Sequence, residues 1–403
     1  MKRSAFVFTL LLAVAGAAEG APGTQWLRSW AAAPQSATRP GQAQPAGRQF
    51  QDVTIRQIVR VSAGGTQARL RISNEMSGEA LRLGAVRLAL VGKDGSIVAG
   101  SERSVSFDGE GTTTIPPYAP IVSDPVPLAV PPLGRLAVSI HLPEGSPAPT
   151  MHATGRQTAW FAPGDQTGAA ALADATTSIS RYFLTGVDVS SPRRGSVIVA
   201  IGDSITDGAG AEMDRDARWP DVLAERLQRA GRRHFGVANA GISANRILSE
   251  GVGQNMLARL DRDVLSVPAV SHLIVLAGIN DIGMAHRDKD PRPPSADDII
   301  DSYRQLITRA RDRGVSVIGA TILPYKGAAY YSEEGEGVRQ AVNQWIRTSG
   351  SFDGVIDFDR LMRDPADPAR MKPGSHNGDF LHPSNAGYRA MGEAIDLSLF
   401  KSR

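Results

Sequence analysis

The chain has 403 residues, long enough for two domains, and its 44 Lys and Arg against 41 Asp and Glu leave a formal net charge of only +3. The basic residues are scattered singly, so there is no electrostatic footprint for nucleic acid. Cysteine is absent, which excludes disulfides, a thiol nucleophile, thiolate metal sites and lipid attachment at an N-terminal cysteine.

Residues 1–20 read as a secretory signal peptide. Lys2 and Arg3 give the charged start, the stretch 5–18 is apolar, and Ala18 and Gly20 offer a small-residue cleavage site before Ala21. The apolar run is shorter than the ~20 residues that span a bilayer, so a cleaved leader is expected, with no stable membrane insertion afterwards. The mature chain is then expected outside the cytoplasm, secreted or in a bacterial periplasm.

Residues 21–190 show no helical period of useful length and read as an N-terminal β-sandwich, jelly-roll-like in character. Residues 68–72 alternate apolar and charged side chains, 86–90 repeat the pattern, and 136–140 form a further candidate strand. Gly- and Pro-rich turns separate them. Ser190 to Gly195 form a short polar linker, too short to let the two parts drift apart.

From 191 to 403 the pattern becomes alternating strands and helices. Strands are predicted at 196–201, 235–239, 272–277, 315–321 and 354–358. The best-signalled helix runs over 296–313. Ser295 and Asp298 make a capping box, Ile299, Tyr303, Leu306 and Ala310 share a face, and Gly314 is the stop. Trp219-Pro220-Asp221 reads as another helix start, with Trp219 as a packing residue. This alternation predicts an α/β domain with a parallel sheet covered on both faces.

The chemistry concentrates at the strand ends. The run 197–201 leads into Gly202-Asp203-Ser204-Ile205-Thr206-Asp207-Gly208, which places Ser204 outside the carboxyl end of a strand. A serine hydroxyl needs a base to act as a nucleophile, and His382 is the candidate. Asp379, three residues earlier, can hold the other ring nitrogen and stabilise the imidazolium. Gly241 can bring its backbone N–H close to a ligand, Asn280 can donate through its amide, and the Ser204 N–H completes a three-donor oxyanion hole. His376 lacks an acid at the matching spacing and reads as a loop or cleft residue. Asp203 and Asp281 read as loop-holding carboxylates, Asp357 as structural, and Asn245 and Arg246 as cleft-lining or solvated loop residues. Trp160 and Phe161 are either a sugar-stacking pair or core.

Gly202-Asp203-Ser204, Asn239-Ala240-Gly241, Gly278-Ile279-Asn280-Asp281 and Asp379-Phe380-Leu381-His382-Pro383 occur in this order along the chain. Together they resemble the SGNH superfamily of esterases and lipases, also called the GDSL family, over the chain from about Ser196 to its end. Trp26-Leu27-Arg28-Ser29-Trp30 extends the likeness to secreted members with an N-terminal β domain. The resemblance implies a flavodoxin-like three-layer α/β/α fold, a Ser204–His382–Asp379 triad, and oxyanion donors at Ser204, Gly241 and Asn280. It also implies no cofactor and no metal. One departure bears on loop shape: many relatives carry a second glycine shortly after the Gly241 position, whereas here the run is Gly241-Ile242-Ser243-Ala244-Asn245-Arg246.

The function expected is that of a secreted serine carboxyl-ester hydrolase working through an acyl-enzyme on a small-molecule or polysaccharide ester. Removal of acetyl or other short acyl groups from a carbohydrate is preferred on export and the attached β domain. A lipid esterase or lysophospholipase of the same superfamily is the near alternative. A metal-dependent phosphoesterase would need several histidines and carboxylates around metal ions, and a non-catalytic glycan-binding protein would not need Ser204, Asp379 and His382 together.

Overall fold

The computed structural model describes residues 25–37, 50–93, 95–145, 148–191 and 194–401. The expected leader and its cleavage point lie outside the described residues, as do two residues of the expected linker. Among the described residues no helix is long and apolar enough to cross a membrane.

The N-terminal region is built from β1 (Gln25–Ala31), β2 (Val53–Arg60), β3 (Gly65–Ser73), β4 (Val86–Val91), β5 (Val126–Val130), β6 (Arg135–Leu142), β7 (Thr150–His152), β8 (Ala159–Pro163) and β9 (Leu184–Ser191), with shorter strands between them. One antiparallel sheet runs β1-β9-β3-β5; a second carries β8-β2-β6-β4 at its centre. Alternation explains the two layers. In β5, Val126, Leu128 and Val130 are buried while Pro127 and Ala129 face out. Opposed apolar faces then meet, with Leu70, Ile72 and Val187 from one sheet and Ile55, Val138 and Leu88 from the other in one core. Each such side chain contributes roughly 1.5–3 kcal/mol by leaving water. Phe161 belongs to this core, stacked 5.8 Å from Phe50, so it packs and does not offer a sugar platform.

The C-terminal region is a five-stranded parallel sheet of β10 (Ser196–Gly202), β11 (Phe235–Gly241), β12 (Val270–Leu276), β13 (Ser316–Ala320) and β14 (Gly354–Ile356), in the order β11-β10-β12-β13-β14. That is the flavodoxin-like order, whose topological switch point lies between its first and third strands. The helices used below are α1 (Ser204–Asp207), α2 (Trp219–Arg229), α3 (Ile279–Arg287), α4 (Ala296–Asp312), α5 (Glu333–Thr348) and α6 (Asn385–Ala394). Helices α2 and α6 pack together on one side and α4 and α5 on the other, so the sheet is sandwiched between helical layers. The Ser295–Asp298 capping box forms at the start of α4 as its sequence predicts.

The two regions touch along β1 and the edge strand β11. A side chain at Gly236 would strike the Arg28 carbonyl, its Cβ lying 2.4 Å away. The Ser62 hydroxyl accepts the Val237 N–H at 2.8 Å, and Arg60 and Arg135 reach Glu225 and Asp216 at 2.9 and 2.6 Å.

Candidate active site

Every residue of β10 is buried, and its last position, Gly202, has no room for a side chain. A Cβ there would sit 2.3 Å from Thr206 Oγ1 and 2.6 Å from the Leu276 carbonyl. The chain then turns into α1. Asp203 caps it by accepting the Ile205 N–H at 2.9 Å, leaving Ser204 at the first helical position with its hydroxyl over the switch point.

The loop after residue 374 brings the other two polar groups. Asp379 Oδ1 accepts the backbone N–H groups of Leu381 and His382, both at 2.9 Å, which makes the loop a tight carboxylate-centred turn. Asp379 Oδ2 lies 2.6 Å from His382 Nδ1, and His382 Nε2 lies 2.8 Å from Ser204 Oγ. An acceptor carboxylate at Nδ1 keeps the proton there, which presents a lone pair on Nε2 to the Ser204 hydroxyl. Burial alone would raise the Asp379 carboxyl. The two backbone N–H groups and the His382 ring outweigh it and hold the acid below its ordinary pKa. His376 accepts the Gly378 N–H at 3.1 Å within this loop.

Asn280 sits in the first turn of α3, beyond the end of β12. Its Oδ1 accepts the Tyr330 hydroxyl at 3.2 Å, and its Nδ2 donates to the Asn245 carbonyl at 3.1 Å. Burial raises the Tyr330 phenol well above its usual pKa, so it remains a donor and fixes which way the amide faces. One N–H of Asn280 is then left for a ligand.

Gly241 departs from its expected role. Its N–H donates to Asn239 Oδ1 at 2.8 Å. The missing side chain serves another approach, since a Cβ would lie 2.3 Å from the Asp207 backbone nitrogen. Three residues on, Ala244 adopts φ 61°, a left-handed conformation that favours glycine. Its N–H donates to no protein group among the described residues.

Residues 200–390 match the model of the GDSL-like lipase/acylhydrolase family. This part of the chain belongs to that family. The protein is accordingly a carboxylic ester hydrolase. Among solved structures, the GDSL hydrolase is similar to an aryl esterase from M. smegmatis (18% identity, 50% of this chain and 96% of that one, TM-score 0.39). It is also similar to an acetylxylan esterase from Geobacillus stearothermophilus (20%, 50% and 93%, 0.40), and to a GDSL-like lipase from Bacteroides thetaiotaomicron (18%, 51% and 87%, 0.39). No curated protein matches the chain.

Around the site of this GDSL hydrolase, several polar residues are scaffold. Asp281 accepts the N–H groups of Ile247 and Leu248. Asn245 is buried, neither cleft-lining nor solvated, and accepts from the buried Arg259, which also donates to the Gly202 and Ala240 carbonyls. Asp357 pairs with Arg347 and caps a short helix. Among the described residues no group of three His, Asp or Glu side chains is arranged to hold a metal ion.

Two carboxyls behind Ser204 are perturbed upward. Burial pushes Asp203 to about 7, opposed by the Ile205 N–H and reinforced by Asp281 and Asp207. Burial likewise pushes Asp281 to about 6. The folded protein therefore binds the Asp203 proton more tightly than the unfolded chain does. This carboxyl costs nothing in acid, and stability is lost as the pH rises from about 4 through about 7. Asp203→Asn keeps the acceptor for Ile205 and removes the charge. Its stability gain should be absent at about pH 4 and reach a few kcal/mol, at most ~4, at about pH 8. Urea unfolding of both proteins at the two pH values checks this; an equal difference at both would refute it.

The sequence reading missed Ala244 and Tyr330. The absent second glycine after Gly241 was a signal for the first. Nothing in the chain near Asn280 announces Tyr330, although a Cβ at Gly283 would lie 2.2 Å from its ring.

Proposed function

We propose that the protein is an exported serine esterase in which Ser204, His382 and Asp379 are nucleophile, base and supporting acid. The reading rests on one observation: His382 bridges Ser204 Oγ at 2.8 Å and Asp379 Oδ2 at 2.6 Å. Ser204 Oγ attacks the acyl carbon while its proton passes to His382 Nε2, and Asp379 stabilises the imidazolium. The carbonyl oxygen, now negative, takes hydrogen bonds from the Ser204 N–H, the Ala244 N–H and Asn280 Nδ2. Collapse breaks the ester C–O bond, and the His382 proton goes to the departing alcohol oxygen. Water then attacks the acyl-enzyme by the same route, giving up its proton to His382 and releasing the acid with Ser204 restored.

The substrate we propose is a short acyl ester of a carbohydrate. The rim beside His382 is polar, with Asn377 and Asp379 exposed and Asn385 hydrogen-bonded to Glu212, which suits a hydrated alcohol part better than a lipid. Labelling by a fluorophosphonate probe tests the nucleophile, and matched acetyl, butyryl and long-chain aryl esters beside acetylated xylan test the substrate. We expect labelling at Ser204, the highest kcat/KM on the acetyl ester, and acetate release from xylan. A preference for the long chain would overturn the acyl assignment, and an unlabelled Ser204 the nucleophile.

A further inference from the structure

We propose that His152, carried by the N-terminal sandwich, is a positioning residue for the oxyanion hole. The proposal rests on the reading of Ala244 as an oxyanion donor. His152 ends β7 and is buried, with its Nδ1 3.0 Å from the Ala33 carbonyl and its Nε2 2.9 Å from Asp207 Oδ1. Asp207 is the last residue of α1, three residues after Ser204. Its other oxygen, Oδ2, accepts both the backbone N–H of Ser243 at 2.8 Å and the Ser243 hydroxyl at 2.6 Å. One buried carboxylate thus joins the sandwich on one side to the turn that presents the Ala244 N–H on the other.

The arrangement has a physical purpose. Ala244 is held at φ 61°, which costs energy for a residue with a side chain and persists only where the surroundings enforce it. The two bonds from Ser243 to Asp207 supply that enforcement, provided the carboxylate itself cannot turn. His152 removes that freedom, because its ring is fixed from behind by the Ala33 carbonyl. A second tie runs parallel: Gln35 accepts the Ala153 N–H at 2.8 Å and donates to the Val252 carbonyl at 3.2 Å. The sandwich therefore holds the stretch between Gly241 and Val252 near both ends. A donor fixed before reaction contributes most to the transition state and little to substrate binding.

The test compares His152→Ala, His152→Gln and Ser243→Ala in the full chain on a small acetyl aryl ester. Folded fraction is followed by thermal unfolding, and a trifluoromethyl ketone serves as tetrahedral mimic. Losing an oxyanion donor costs ~100- to 1,000-fold, so displacing one should lower kcat of His152→Ala by about ten- to a hundredfold. KM should stay within about twofold, and ketone affinity should fall in step with kcat. Gln can place an N–H near the position of Nε2, so His152→Gln should recover most of the rate. Wild-type kcat in His152→Ala, a rise in KM alone, or a rate loss that only tracks unfolding would overturn the proposal. Should His152→Ala not fold, Ser243→Ala carries the test. It cuts one bond on the half-buried side of the same carboxylate, and wild-type kcat there overturns the proposal equally. A wild-type enzyme unlabelled at Ser204 by a fluorophosphonate would instead sink the serine-esterase reading.

Discussion

Ser204→Ala and His382→Ala should each lower kcat for ester hydrolysis by about 10⁴-fold or more, with the thermal unfolding midpoint shifted by only about a few degrees. The stability half of this expectation follows from what each side chain touches. Among the described residues the Ser204 hydroxyl bonds only His382 Nε2, and the His382 ring retains 19% exposure, so water can reach the groups that either change leaves without their partner. The rate half follows from the proton path, since without Nε2 the Ser204 proton has no acceptor at 2.8 Å. Combining the two changes should cost little more than either alone, because a broken relay cannot be broken twice. Asp379→Asn should be milder. It keeps an oxygen for the Leu381 and His382 N–H groups, so the loop stays closed, but it turns an amide towards Nδ1 and disturbs the tautomer. Steady-state kinetics beside thermal melts check all three. Near-normal turnover in His382→Ala at neutral pH would remove His382 from the role of base.

The elements that carry the chemistry could be read from the chain because their signals are local. The run 197–201 is apolar throughout and lies in a strand buried along its whole length, Ser196–Gly202. Ser295 and Asp298 announce a helix start three residues apart, and the helix begins there. Asp379 and His382 are close enough in sequence that one turn brings them together. Gly241 shows where local reading stops. A glycine signals that something approaches the backbone closely, yet it does not say what approaches. Here it is the Asp207 backbone, while the Ala244 N–H donates to no protein group among the described residues. His152 was out of reach for a related reason. It lies 55 residues from Asp207 in sequence, in a strand of the N-terminal region, and a lone histidine in a strand carries no spacing signal.

That contact bears on the largest structural effect expected. A chain beginning at Gly195 should be poorly soluble, or unfold at a midpoint lower by about 10 °C or more, given ~2–4 °C per kcal/mol for a unit of this size. The buried apolar residues form one continuous cluster through both regions, with Leu27 and Trp30 of β1 in the same core as Val197, Phe235 and Val237. Removing the sandwich uncovers the sheet edge at β11, whose Val237 N–H and carbonyl are paired with Ser62. An uncovered edge strand with an apolar face is a template for aggregation. Whatever fragment stays folded also lacks His152 and Gln35. Its kcat on a small aryl ester should therefore fall by about tenfold or more even where active-site labelling shows Ser204 still reactive. Activity on acetylated xylan should fall at least as far. The truncated and full-length chains should be compared by thermal unfolding, fluorophosphonate labelling and hydrolysis of both esters. An unchanged midpoint together with unchanged turnover would mean that the sandwich is an independent module, and that the contacts of Ser62, Arg60, Arg135 and His152 with the catalytic region carry no free energy that matters.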